Sequence, residues 1–407
     1  MALLKSLRTY AQTYKPLAWA QLSHQKVRLA VALTGVAFSN ILIFTQLGLR
    51  ALLFDGITLL PEQLDGDLFL VSAYTPSINW GSSFSKINLY QADSVSGVAR
   101  AAPLYMSSAE WVNPEQLEQQ GLSDGPQAFE LFPNRVKILA FNPVEPVLAI
   151  PEINQQLDRL AVPHGVLYDR LGQEKLGPVP DLFLEQGSVT TLMNNERVTV
   201  VGLFSLGSNL SDNGHVVMSD WNYAQRTFAS ALDQVNIGVL TLEPGADLEK
   251  VQGQLRSRLS KDIRVLTQAE IIEAEQAFQA SLPNGKILDF GAAMGFVVGV
   301  VIVYQVLYTD VNDHLPEYAT LKAMGFSDRA LLTVVLQEAL ILALLGFIPG
   351  YLTSYGVYSA LTYVTRIPLS MRLGVAVQVF GLTLVMCILS GAIAMNKLRS
   401  ADPADVF

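Results

Sequence analysis

Four stretches of about 20 residues or more, nearly free of charge, constrain this chain more than any other feature. They are 29–49, uncharged between Arg28 and Arg50; 290–309, uncharged between Asp289 and Asp310; 330–365, whose one charge is Glu338; and 373–396, uncharged up to Lys397. A helix of about 20 apolar residues satisfies its own backbone and is long enough to cross the hydrocarbon core of a bilayer. The pattern predicts four transmembrane helices. The composition agrees: 50 % hydrophobic and only 15 % charged residues, against about 25 % charged in an ordinary soluble domain.

Lys and Arg flanking the spans predict their orientation. Lys5, Arg8, Lys15, Lys26 and Arg28 precede the first stretch, Lys322 and Arg329 lie between the second and third, and Lys397 and Arg399 follow the fourth. The opposing short loop holds Arg366 and Arg372. Both termini are therefore expected in the cytoplasm and the long segment after the first span outside. A signal peptide is the rival reading of the first stretch, but its apolar run is longer than the 7–15 residues of a typical signal core and no A-x-A-like site follows. An uncleaved anchor is the reading adopted. Before it, Leu3, Leu7, Tyr10 and Tyr14 recur at helical spacing beside Lys5, Arg8 and Lys15, which suits a helix lying on the inner leaflet or a frayed terminus.

The expected domains are a cytoplasmic amphipathic segment 1–28, spans 29–53, 287–309, 330–358 and 373–396, an extracytoplasmic α+β domain 55–285, a cytoplasmic loop 310–329 and a cytoplasmic tail 397–407. The fold class is thus an α+β membrane protein with its large domain between helices 1 and 2. Within that domain 67–74 and 101–112 read as strands around a helix over 84–95. Residues 236–242 and 263–266 read as strands around a helix over 248–259 that Asp247 can cap. A Pro- and Gly-rich middle, about 113–230, reads as an inserted subdomain with strands at 136–141 and 197–203. Residues 55–285 carry 14 basic and 28 acidic side chains, a balance unsuited to gripping nucleic acid, whose affinity comes from neutralised phosphates.

Chemistry-bearing motifs are sparse. Cys387 is the single cysteine and lies in the fourth apolar run, so neither a disulfide framework nor a thiolate metal site is available. His24, His164, His215 and His314 are scattered and read as ordinary surface histidines, not metal ligands. The only Gly-Lys pair, Gly285-Lys286, has Ala280 and Ile287 where a phosphate loop needs glycine and a hydroxyl. No catalytic, metal or cofactor site is expected, and ATP would be bound by another chain. Three local features stand out. Gly291, Gly295 and Gly299 share one face of the second span, as in helix pairs that approach closely. Thr267 and Glu270 have capping-box spacing at the start of a stalk helix, 267–282, that leads to the second span. Glu338, about 14 Å along the helix from Arg329, reads equally as interfacial or as a functional intramembrane acid.

In the loop between spans two and three, Pro316 suits a first helical position and Gly325 a helix end. The run Glu317-Tyr318-Ala319-Thr320-Leu321-Lys322-Ala323-Met324-Gly325 reads as a short cytoplasmic helix. It resembles the E-x-x-x-L-K-A-M-G signature of the FtsX-like permeases, the MacB-type class of ABC transporter. Asp402-Pro403-Ala404-Asp405 is similar to their D-P-x-x tail, and the amino-terminal third, with LDGDLFLVS and LYQADSVSGVARAAPLY, resembles the DevC permeases of cyanobacteria. The resemblance implies a MacB-like periplasmic core domain and a homodimeric permease in the inner membrane. In that family the short helix docks into a separate ABC ATPase subunit; here Glu317, Leu321, Lys322, Ala323, Met324 and Gly325 would be the coupling positions. It further implies a membrane-fusion adaptor and a TolC-like outer-membrane channel, exporting a glycolipid or another envelope component. MacB itself carries a fused ATPase, which this chain lacks. Lipoprotein release or extraction of a membrane lipid, regulation of an envelope hydrolase, and a sensor with no ATPase are the alternatives.

Overall fold

The computed structural model describes residues 26–120, 134–209, 212–227, 229–316, 320, 324, 327–365 and 369–400. Of the expected amphipathic segment 1–28, residues 1–25 lie outside them, as does the tail beyond 400. The chain divides into two compact units: residues up to Ala51 together with those from Asn284 onward, and Leu52–Pro283.

In the first unit four helices run over Lys26–Thr58, Pro283–Asp313, Asp328–Thr365 and Leu373–Ser400. Among the described residues these are the helices long and apolar enough to cross a membrane. Each is apolar on its buried and its open faces alike. In the second helix Gly295, Gly299, Val303 and Leu307 are buried, while Val297 and Val301 stand exposed. That all-round hydrophobicity belongs to helices solvated by lipid, because a water-facing helix would carry a polar face. The helices meet in two apolar clusters. One gathers Ala32, Val36, Val303, Leu307, Ala339, Leu342, Met386 and Cys387. The other gathers Ile43, Phe44, Ala292, Tyr358 and Val379, with Phe44 against the rings of Phe347 and Tyr351.

The second unit is built on strands β1 (Leu68–Ser72), β2 (Phe84–Ser85), β3 (Val98–Glu110), β4 (Arg135–Phe141), β5 (Gly165–Asp169), β6 (Val189–Met193), β7 (Glu196–Phe204), β8 (Gly214–Ser219), β9 (Gln234–Val235), β10 (Ile237–Leu242) and β11 (Ile263–Leu266). Nine of them form one sheet in the order β11-β1-β10-β3-β4-β8-β5-β7-β6; β2 and β9 make a two-stranded ribbon. The β4–β8 and β5–β7 pairs are parallel and the other pairs in the large sheet antiparallel. Strand β3 is the join. Its first part pairs with β10 up to Leu104, and Tyr105 to Glu110 pair with β4. The segment 113–230, read from the sequence as an inserted subdomain with strands of its own, therefore extends the same sheet.

Both faces of the sheet are covered. Side chains alternate along a strand, so Leu68 and Leu70 enter one apolar cluster while Phe69 and Val71 enter another. The helix Leu248–Arg258 closes one side by burying Val251 and Leu255, and the side chain of Asp247 caps it by accepting from the Lys250 N–H.

Candidate functional site

Of the positions expected to couple to a partner, Glu317, Leu321, Lys322, Ala323 and Gly325 lie outside the described residues. Met324 is described and exposed. Its N–H donates to the Thr320 carbonyl at 3.0 Å, and the Thr320 hydroxyl donates to the Pro316 carbonyl at 2.8 Å. The first is a backbone bond over four residues, and the second is a hydroxyl bonding back to the fourth residue before it. Just before the loop, Arg28 of the first helix pairs with Asp310, at 3.4 Å, and with Asp313 of the second.

The glycine face of the second helix turns towards other helices of the same chain. A methyl group added at Gly291 would lie 2.6 Å from Gln46 Cδ, at Gly295 3.2 Å from Ile43 Cγ1, and at Gly299 2.0 Å from Met386 Sδ and 3.0 Å from Ser39. Gly346 and Gly350 of the third helix likewise abut Val36 and Asn40. The first helix is thus the hub of the bundle, and small residues let its neighbours reach it. Asn40 stands at that hub, fully buried, and its Oδ1 accepts from the Thr383 hydroxyl at 2.7 Å. The adjacent polar residues Ser39 and Asn40, mid-way along an apolar run, were the signal for this contact, but nothing in the first span points to Thr383.

Glu338 is wholly buried within the bundle. Neither of its carboxyl oxygens, nor Oδ2 of Asp310, meets a hydrogen-bond donor among the described residues.

The stalk helix runs over Gln268–Ser281 with Thr267 as its N-cap. The Thr267 hydroxyl accepts from the Glu270 N–H at 3.2 Å, and the Glu270 carboxylate accepts from the Thr267 N–H at 2.7 Å. Gln252 and Arg256 also donate to Glu270. Burial works against ionisation of Glu270, yet these bonds and the Arg256 charge hold its carboxyl below the ordinary value. One turn on, Glu275 is buried and accepts from the Ser77 hydroxyl and the Ile78 N–H, both at 2.6 Å. Here burial prevails over those two bonds and the charges of Arg264 and Lys137, and the carboxyl is pushed up. The Phe278 ring meets Trp80 edge-on with centroids 6.0 Å apart. The helix is thereby docked along its own domain. It ends at Leu282, whose extended backbone separates it from the helix beginning at Pro283.

His215 departs from the surface position expected of it. It is buried, with Nδ1 3.3 Å from Asp169 Oδ2. Asp169 is itself fully buried and accepts from the N–H groups of Leu171, Leu206 and Gly207 at 3.0, 3.1 and 2.8 Å. At Gly207 φ is +109°, a backbone that side chains rarely adopt. The cluster fixes the loop after β7. Among the described residues no group of three His, Cys, Asp or Glu side chains is placed to hold a metal ion.

Residues 290–403, which take in the second, third and fourth helices, match the family model of the FtsX-like permease C-terminal domain. The chain is also similar to the crystal structure of the periplasmic region of MacB from Actinobacillus actinomycetemcomitans, with a TM-score of 0.32 and 9 % identity over 52 % of this chain and 92 % of that one. The extracellular domain of the noncanonic ABC-type transporter YknZ from Gram-positive bacteria gives a TM-score of 0.29 and 11 % identity over 50 % of this chain and 99 % of that one. Neither likeness carries functional weight at such scores.

Proposed function

We propose that this chain is the permease subunit of an ABC exporter of the mechanotransmission type, driven by a separate ATPase subunit. The observation that carries the proposal is the FtsX-like match over 290–403, which takes in the second, third and fourth helices and the loop between the second and third. Nucleotide-driven closure of the partner would press on the loop helix around Met324, and the packed helices would pass the movement to the sheet domain. A packed bundle suits that work. Much of its interior is filled by apolar side chains and close glycine contacts, which would let the helices move as rigid rods.

In this reading the loop faces the cytoplasm, the sheet domain faces the periplasm, and the permease works as a homodimer in the inner membrane. A membrane-fusion adaptor and a TolC-like outer-membrane channel would receive a glycolipid or another envelope component, as the resemblance to DevC-type permeases implies. The buried face of the stalk helix favours relay through the domain, since Glu275 and Phe278 tie it to Ser77, Ile78 and Trp80. The test is purification of the full-length chain from native membranes, with identification of bound subunits. An ABC ATPase subunit carrying its own phosphate loop is the expected companion; a stoichiometric complex without any nucleotide-hydrolysing subunit would refute the reading.

A further inference from the structure

The pairing of Glu338 with Asp310 is a feature that export mechanics does not use. Glu338, in the third helix, is completely buried, and Asp310, in the second, is 4 % exposed. Their carboxyl groups lie within hydrogen-bonding reach of each other. Apolar side chains enclose them: Leu307 and Ala339 belong to one cluster, Val311 and Val335 to another. Asp310 Oδ1 has company, with Arg28 at 3.4 Å and His314 Nδ1 at 3.8 Å. Asp310 Oδ2 and both Glu338 oxygens have no donor among the described residues.

Carboxylates only accept hydrogen bonds, whereas a protonated carboxyl also donates one. Two ionised carboxylates in contact and shut away from water would repel strongly, and Glu338, with no donor among the described residues, could not offset its desolvation. A single proton resolves both problems, because Glu338 can then donate to Asp310 Oδ2 while Asp310 keeps its charge beside Arg28. The remaining neighbours do not change this balance. From the first helix Arg28 also engages Asp313, and His314 sits just past the end of the second helix. The fourth helix brings the buried Cys387 thiol and Ser390 but, among its described side chains, no charge.

We propose that Glu338 and Asp310 form an intramembrane proton-binding site, one proton held between them, that fastens the third helix to the second next to the coupling loop. Loss of the proton turns the fastening into a repulsion between two carboxylates and loosens the end of the bundle on which a partner would push. The site is independent of the permease reading, because its proton is detectable in the chain alone.

Infrared spectroscopy of the full-length chain in lipid nanodiscs tests it. At neutral pH the spectrum is expected to show the carbonyl band of a protonated carboxyl that shifts in heavy water, survives Glu275→Gln and is lost in Glu338→Gln. Raising the pH should remove the band and lower the melting temperature together in the wild type, with the melting temperature of Glu338→Gln staying flat. Absence of the band from the wild type at neutral pH, or its persistence in Glu338→Gln, would overturn the proposal. Should the variant not fold, the wild-type pH titration decides alone, and a melting temperature that does not follow the band counts against the site.

Discussion

Two buried glutamates, one in each unit, are held on opposite terms. In the sheet unit Glu275 receives two donors at 2.6 Å, and Asp169, deeper still, receives three backbone N–H groups and faces His215. In the helical unit Glu338 faces another carboxyl and, among the described residues, meets no donor. The difference follows from the backbone. Loops beside a sheet present free N–H groups that a carboxylate can collect, whereas a helix in lipid spends every interior N–H on its own fourth neighbour. In the first setting donors offset part of the cost of burying a carboxylate, and in the second it needs a proton or a cation.

The sharpest way to break this comparison is to remove Asp169. Asp169→Ala leaves three N–H groups and His215 facing an apolar methyl, and the expected loss is about 3–5 kcal/mol. Thermal unfolding of the full-length protein should register it as an early transition of the sheet unit. Gly299→Leu probes the helical unit by packing alone, since even a methyl there would run into Met386 and Ser39. Overpacking of this kind costs about 1–3 kcal/mol, and the variant should aggregate on heating in detergent before the wild type does.

Glu275→Gln gives a smaller effect, seen in its pH dependence. A carboxyl whose folded pKa is raised contributes stability that is present below its unfolded value and fades as pH rises through the folded value. Glu270 is shifted the other way, so its contribution is lost as pH falls. The wild-type melting temperature relative to that of Glu275→Gln should therefore decline as pH rises above the ordinary glutamate range. A constant difference would mean that the fold does not raise the Glu275 carboxyl.

Much of this arrangement could be read from local sequence. The four spans declare themselves by length, because lipid demands a long uncharged run. The Thr267–Glu270 box is complete within four residues, and β10 and β11 show the alternation or the flanking cap that marks a strand beside a helix. Strands β5 and β8 are different. GVLYD and GHVVMS are buried at every position, and a strand covered on both faces has no alternation to detect. Their partners are also distant in the chain, as when Arg135–Phe141 runs parallel to Gly214–Ser219. The same distance hid the buried contacts: Asn40 with Thr383, Asp169 with His215 and Asp310 with Glu338 join residues that no spacing rule relates. The glycine face was visible as a stripe, but only the fold shows that it serves helices of the same chain.

The central claim is that movement enters through the short loop helix, and charge reversal at Lys322 addresses it most directly. ATP hydrolysis should be measured in nanodiscs on the complex that co-purifies with the full-length chain, wild type against Lys322→Glu. The account predicts that the variant retains or stimulates on the order of tenfold less ATPase activity, a loss of about 1.4 kcal/mol in coupling, with its own melting temperature unchanged. Equal activity in the two complexes would contradict it.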